Sequence, residues 1–267
     1  MNILVLDCKE HAIRFRLVEI ESETYSVAGK LESIGMAGAA ILVRPFNQPS
    51  RQETATILTP RAAIEKIIEI LIAEKAISDK TGIEAVAHRV VHGGESFQDA
   101  TIISDTVINR IRELRPLAPL HNPAELEGIL AARELLPDIP HVANFDTAFY
   151  STMPDYAYLY GLPLELYKQL GIRRYGFHGH SHRYLMHRAA HLLGKDHRQV
   201  KVISCHLGSG CSITAVDKGL VKDTSMGFTP TEGLVMNTRC GPGMGAERPR
   251  ITSCPWPGWA RRRPTGP

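Results

Sequence analysis

Between two strand-like segments the chain reads His206-Leu207-Gly208-Ser209-Gly210-Cys211-Ser212. Glycines at alternate positions let backbone N–H groups approach an anion closely, and serine hydroxyls add donors. The pattern is neither a Walker A loop nor a dinucleotide-binding G-x-G-x-x-G, and a plain tight hairpin would read the same way. Upstream, the stretch Arg173–Arg183 carries His178, His180 and His182 at every second position. On an extended chain the three would share one side and could bind a metal, as in a metal-dependent hydrolase. A helix starting near Ser181 would break that face, and histidine also hydrogen-bonds phosphate oxygens; a phosphate or transition-state role for one of the three is the preferred reading. Arg89 in HRVVHGGE, Asp146 in NFDTAF and Arg239 in NTRCG each fall at an expected strand end or loop, where functional polar groups concentrate. Taken singly, each reads as a surface ion pair; only the set is informative.

The elements that must position these residues follow from periodicity. Ile3–Leu6 and the alternating Ile13–Ile20 predict an antiparallel hairpin with its turn near Asp7–His11. Strand-like segments follow at Tyr25–Ala28 and Ala40–Val43. Pro60 opens a helix with apolar residues at 64, 67, 68, 71 and 72, the 3.6-residue period. Ala85–Val91 is an apolar strand. Asn122 as N-cap and Pro123 at the first helical position start a helix that runs to Leu136. His141–Phe145 is a strand, Ser181–Leu193 a helix closed by Gly194, and Val200–His206, Ser212–Val216 and Leu220–Asp223 are strands. The order of elements predicts an α/β chain of two lobes, each opening with a hairpin.

Composition narrows the function classes. The 267 residues carry 31 Lys+Arg against 28 Asp+Glu, with 43% hydrophobic residues, ordinary values for a globular protein. No run approaches the roughly 18 apolar residues of a membrane span. The start, MNILVLDCKEH, lacks the basic segment and cleavage site of a signal peptide and reads as a strand. Five cysteines at irregular spacing, none in C-x-x-C, support neither a disulfide framework nor a cysteine zinc site, so a reducing cytoplasmic home is the default. Residues 242–267 hold five Arg and one Glu, six of the 17 prolines and both tryptophans. The basic charge therefore belongs to that tail, and the body has no electrostatic case for nucleic acid.

The segments HRVVHGGE, LAPLHNPAEL, FDTAFYSTMP, GIRRYGFHGHSH, CHLGSGCS, DTSMGFTPTEGL and NTRCG together resemble the acetate kinase family (acetate, propionate and butyrate kinases), in family order, from about residue 1 to Gly241. The resemblance implies a two-lobed actin-like ATPase fold of the ribonuclease H-like type. It divides the chain into residues 1–148, a first lobe on the substrate side, and 149–241, the start of a second lobe. Residues 242–267 are then a Pro/Arg-rich tail foreign to the family and expected to be disordered. It also implies transfer of phosphate between ATP, with Mg2+, and a short-chain carboxylate, and the family's usual homodimer. By residue, Arg89 and Arg239 flank the substrate and the moving phosphoryl group, and His178 stabilises its equatorial oxygens. The family's acid/base position is Asp146, for which orienting an arginine or holding a magnesium water suits the chemistry better. His206, Leu207, Gly208, Ser209 and Gly210 match the ATP-phosphate loop. Val91, Leu120, Phe177 and Pro230 match the pocket for the substrate's methyl group, with His121 beside them. Arg14 and Asp7 match a nucleotide-binding lysine and an asparagine near magnesium. Neither arginine is expected in a core, so alanine at either should leave the fold intact.

Two departures stand against the family pattern. Lys9-Glu10-His11-Ala12 replaces a loop of small hydroxyl residues that faces phosphate. After Gly241 the expected Asp-x-Asp-Pro and the adenosine-binding segments are replaced by Pro242-Gly243-Met244-Gly245 and the tail. The abrupt change suggests a shifted reading frame or a truncated gene, a genuine tail being the alternative. Little kinase activity and poor solubility are expected of this exact chain, and a non-catalytic remnant that keeps the pocket is the competing reading.

Overall fold

Strand β1 (Asn2–Lys9) and strand β2 (Ala12–Glu19) alternate, and the alternation decides what they bury. Leu4, Leu6 and Cys8 on β1 and Ile13, Phe15 and Leu17 on β2 all face the core, while Arg14 and Arg16 stay exposed. The computed structural model describes residues 1–237. It divides into two compact units, Met1–Thr152 and a second from Met153 onward. The tail at 242–267 and Arg239 lie outside the described residues.

In the first unit the hairpin is tighter than the sequence suggests. Asp7 is not in the turn: it lies in β1, opposite Arg14 of β2, and Glu10 and His11 alone connect the strands. Strand β3 (Thr24–Glu32), strand β4 (Ala39–Pro45) and strand β5 (Arg51–Ala55) extend the sheet antiparallel. Helix α1 (Pro60–Ala73) is capped by the Thr59 hydroxyl, which accepts from Ala62 N–H, and buries Ile64, Ile67, Ile70 and Leu71. Strand β6 (Ala85–Val90) joins β1 in parallel. After strand β7 (Thr101–Ile102) come helix α2 (Asp105–Glu113), helix α3 (Asn122–Leu135) and strand β8 (His141–Phe145), the last parallel to β6. The sheet runs β5-β4-β3-β2-β1-β6-β8-β7. Three parallel strands, β1, β6 and β8, are thus neighbours, and their carboxyl ends lie at one edge. Open α/β sheets bind ligands at such an edge.

Helix α3 corrects an expectation. Its N-cap is His121, with no side-chain cap bond, and Asn122 is already helical. The Asn122 amide is used elsewhere, on the backbone of His92. Polar β5 (RQETA) and the nine-residue α2, with only three buried apolar residues, offered too little periodicity to be read in advance.

The second unit contains helices α4 (Asp155–Tyr158), α5 (Leu164–Leu170) and α6 (Gly179–Leu192), then strands β9 (Lys201–Leu207), β10 (Cys211–Asp217) and β11 (Leu220–Thr224). The strands form an antiparallel sheet in the order β11-β10-β9, and α6 packs on β9. Helix α6 begins two residues before the expected start, and Gly194, at φ +62°, follows its end. Ile203 and Leu207, on β9, are 75% exposed. No helix among the described residues is long and apolar enough to cross a membrane.

Helix α3 approaches β1 closely at Gly128, where a Cβ would lie 2.4 Å from Cys8 Sγ. Gly128 therefore sets the depth at which α3 packs on β1. Gly128→Ala should cost about 1–3 kcal/mol, read as a lower urea midpoint. Adding Cys8→Ala should recover part of the loss; a double variant no better than the sum of the singles would show that the two sites do not touch.

Candidate active site

Three side chains meet at the carboxyl ends of β1, β6 and β8 in the first unit. Arg89, at the end of β6, donates from Nε to Asp146 Oδ1 at 3.0 Å and from Nη2 to Asp146 Oδ2 at 2.6 Å. Its Nη1 donates to Asp7 Oδ1 of β1 at 3.0 Å. The planar fork matches one carboxylate with two bonds and reaches a second with its remaining edge. Asp146 follows directly after β8, and its own N–H donates to Val90 O at 2.9 Å, so the sheet ladder itself aims it at Arg89. Asp146 is 2% exposed and the Arg89 side chain 31%. Burial alone would lower the Arg89 pKa; Asp146 and Asp7 more than reverse this and hold it charged.

A fourth group was not read from the sequence. Glu125, in the first turn of α3, is buried, and its Oε2 accepts Val91 N–H at 2.9 Å. Burial pushes its carboxyl up to about 8, against the pull of that bond and of Arg89. One turn of backbone beyond β6 is then fixed from two sides. Asn122 Oδ1 accepts His92 N–H at 3.2 Å, and Asn122 Nδ2 donates to His92 O at 2.9 Å. Thr147 Oγ1 accepts Gly93 N–H at 2.9 Å. A Cβ at Gly93 would strike the Phe145 ring at 2.8 Å. Glu125, Asn122 and Thr147 lie inside the segments LAPLHNPAEL and FDTAFYSTMP, but nothing local in the sequence shows what their side chains bind.

The ion pairs also bear on two expectations. Alanine at Arg89 would leave the buried Asp146 carboxylate without its guanidinium, a change that typically costs about 3–5 kcal/mol, so the fold is not expected to be indifferent to it. Asp7, expected near magnesium, gives Oδ1 to Arg89, as Asp146 gives both its oxygens. Among the described residues no group of three or more His, Cys, Asp or Glu is arranged to hold a metal ion. Both carboxylates accept from the Arg89 guanidinium.

In the second unit the histidines separate. His178 is the N-cap of α6 and sits in the left-handed region at φ 60°, an uncommon conformation for a residue with a Cβ. The helix then turns His180 to solvent and His182 into the core, so the three share no extended face. His178 Nδ1 is hydrogen-bonded to Ser212 Oγ at 2.9 Å, and its ring stacks on His206 with centroids 4.1 Å apart. His206 Nδ1 meets Ser181 Oγ at 2.9 Å. His206 and Leu207 end β9, and Gly208, Ser209 and Gly210 make a tight hairpin loop in which Gly208 N–H donates to Gly210 O at 3.0 Å. Of the expected pocket residues, Val91 and Phe177 are buried, His121 and Pro230 are half-buried, and Leu120 is 80% exposed. Arg14 is exposed on the face of β2 that also carries Arg16.

Glu125 makes a pH prediction. Between about pH 4.5 and 8 the folded chain keeps a proton that the unfolded chain has lost, so stability falls as pH rises through that window. His88, lowered to about 3 by burial and His141, and His92, lowered to about 4 by burial, act oppositely: their contribution is lost as pH falls below about 6.5. Glu125→Gln should therefore flatten the alkaline side of the stability curve and leave the acid side. Urea midpoints across the pH range would read this, and an unchanged alkaline slope would contradict it.

The chain is similar to known proteins along most of its length. The curated acetate kinase of Alkaliphilus metalliredigens (strain QYMF) is 49% identical over 247 residues, which is 90% of this chain and 61% of the relative. That of Clostridium kluyveri is 47% identical over 243 residues, 90% of this chain and 60% of its own. Among solved structures, the acetate kinase of Porphyromonas gingivalis superposes with a TM-score of 0.86 at 40% identity, covering 90% of this chain and 61% of that one. A propionate kinase from Francisella tularensis gives 0.84 at 39%, with the same coverage. The chain thus spans about 61% of the length of these relatives. Its α/β architecture is theirs, the actin-like ATPase fold. A model of the acetokinase family matches residues 2–243, and with these identities it establishes that the chain belongs to that family.

Proposed function

We propose that this chain carries the carboxylate-handling machinery of a kinase that moves phosphate between ATP and a short-chain carboxylate such as acetate. The observation that carries the reading is the Arg89 guanidinium, held flat by Asp146 and Asp7 at the carboxyl ends of three parallel strands. A carboxylate substrate is already ionised at neutral pH, so its oxygen needs no general base to attack the γ-phosphate. It needs a fixed position and relief of charge repulsion. Asp146 has both oxygens on Arg89, which supports a role in orienting the arginine rather than in taking a proton. Two carboxylates, Asp7 and Asp146, flank the one guanidinium of Arg89. A second cation beside the substrate would relieve the remaining charge repulsion, and by the family resemblance Arg239 supplies it.

His178 would face the equatorial phosphoryl oxygens, and the loop His206–Gly210 the phosphates of ATP. Mg2+ would arrive with the nucleotide, neutralising its charge. Val91, Phe177 and Pro230 would meet the substrate's apolar end. Such a pocket discriminates by only about 1–3 kcal/mol per methylene, in keeping with relatives named for acetate and for propionate. We place the protein in the cytoplasm, and a homodimer is the proposed assembly.

By the resemblance, the adenosine-binding segments belong to the part of the relatives that this chain does not match. The 267-residue chain alone should therefore bind ATP poorly in calorimetry and make little acetyl phosphate, and appending the remainder of a relative after Gly241 should restore both. Normal turnover by the chain as it stands would overturn this. In the extended protein Arg239→Ala should lower turnover roughly 100-fold or more, and Arg239→Lys should rescue it poorly because a point charge does not reproduce the bidentate fork. Near-normal turnover in either variant would remove Arg239 from the proposed site.

A further inference from the structure

The loop that leaves β11 is held at both of its ends by one side chain. Arg174 Nη1 donates to the carbonyls of Thr224 at 3.0 Å and Met226 at 3.1 Å, where the loop begins. Arg174 Nη2 donates to Glu232 Oε1 at 2.9 Å, where it ends. The other Glu232 oxygen accepts from the Tyr160 hydroxyl at 2.7 Å, and the Tyr160 oxygen accepts Phe228 N–H at 2.7 Å. A ring thus closes through Arg174, Glu232, Tyr160, Phe228 and back along the loop to Met226. The Arg174 guanidinium also lies 5.8 Å from the centre of the Tyr160 ring. Only glycine fits inside, because a Cβ at Gly227 would collide with both Glu232 Oε2 and the Tyr160 hydroxyl.

The chemistry of the groups fixes the direction of every bond in the ring. A guanidinium only donates, and Glu232, in its ion pair with Arg174, only accepts, so the tyrosine proton goes to Glu232 and the tyrosine oxygen serves Phe228. Burial first, and Glu232 second, push the Tyr160 hydroxyl up to about 12, so it keeps that proton at neutral pH. Hydrogen bonds between ionised partners are stronger than neutral ones. The Arg174 and Glu232 side chains are 20% and 28% exposed, so water competes little for them. The backbone joins the same two segments: Gly227 O accepts Tyr175 N–H at 3.1 Å and Gly176 N–H at 3.3 Å. One segment runs on directly into Phe177, and the other carries Pro230.

We propose that Arg174, Glu232 and Tyr160 are positioning residues that clasp the loop 225–233, hold Pro230 at a fixed place relative to Phe177, and so set which length of carboxylate chain the site accepts. The inference rests on the kinase reading, in which Phe177 and Pro230 meet the substrate's apolar end, and adds what keeps them there. An apolar wall discriminates between chain lengths only if it does not yield. A loop tied by its turns alone would shift to admit another methylene. Here a shift of Pro230 away from Phe177 pulls on a guanidinium bonded to both ends of the loop, and it breaks charge-assisted bonds in a half-buried place. None of the three side chains needs to touch the substrate to do this.

The test is a titration of the full 15N-labelled chain with acetate and, separately, with butyrate, following the amides of Phe228 and Thr231 in the loop and the guanidinium of Arg89. In the wild type all three signals should shift saturably, and the two acids should differ in affinity. Glu232→Gln has one acceptor oxygen where the carboxylate has two, so it cannot serve both Arg174 and Tyr160. In that variant Arg89 should still respond to acetate, and the ratio of the two affinities should move roughly tenfold toward one, the scale on which a pocket separates neighbouring chain lengths. A lower urea midpoint with an unchanged ratio would make the clasp merely structural and overturn the inference, as would a wild-type ratio already near one. Loop amides that stay still while Arg89 responds would overturn it too and leave the kinase reading standing. If neither Arg89 nor the loop responds, the kinase reading falls and this inference with it. Should Glu232→Gln fail to fold, Tyr160→Phe, which keeps the ion pair and removes one hydroxyl, should move the ratio in the same direction by less, and an unmoved ratio there would overturn the inference.

Discussion

A single guanidinium joins three strands that are far apart in sequence. Arg89 of β6 is bonded on one edge to Asp146 at the end of β8 and on the other to Asp7 of β1. Much of the first unit exists to put these three groups at one level. The parallel pairing of β1 with β6 and of β6 with β8 aligns the strand ends. Helix α3, set at its depth by Gly128 against Cys8, carries Glu125 to Val91 and Asn122 to His92 and so fixes the turn that leaves β6. Isolated in a core, such a charge would be costly; here each side chain satisfies the others, and Arg89 stays partly exposed.

The second unit solves a related problem with neutral groups. It holds one histidine, His178, in a strained backbone conformation at a helix start and ties its ring to a serine on the neighbouring hairpin. Buried hydroxyls and an imidazole hold the His178 ring there as carboxylates hold the Arg89 guanidinium, out of competition with water.

How much of this could be read from the sequence depends on whether a signal was local. The β1–β2 hairpin, α1, β6, β8, α6 and the β9–β11 hairpins declare themselves through alternation, caps and turn glycines. The short polar β5 and the weakly apolar α2 do not. Arg89, Asp146, His178 and the loop around Gly208 stand out because they sit in dense polar motifs at element ends. Glu125 and Ser204 do not, since a glutamate on a helix and a serine on a strand are ordinary until the fold buries them. Asn122 shows the same limit in another form. Its position beside Pro123 reads as a helix cap, yet its amide binds a residue thirty positions away, a contact that no local pattern encodes.

The central claim is that Arg89, oriented by Asp146, receives the carboxylate. The most direct measurement is the 15N signal of the Arg89 guanidinium during titration with acetate. The account predicts a saturable shift of that signal in the wild type that weakens strongly in Asp146→Asn, where the fork loses its charged partner. An Arg89 signal that acetate leaves unmoved, or that moves equally in Asp146→Asn, would contradict it.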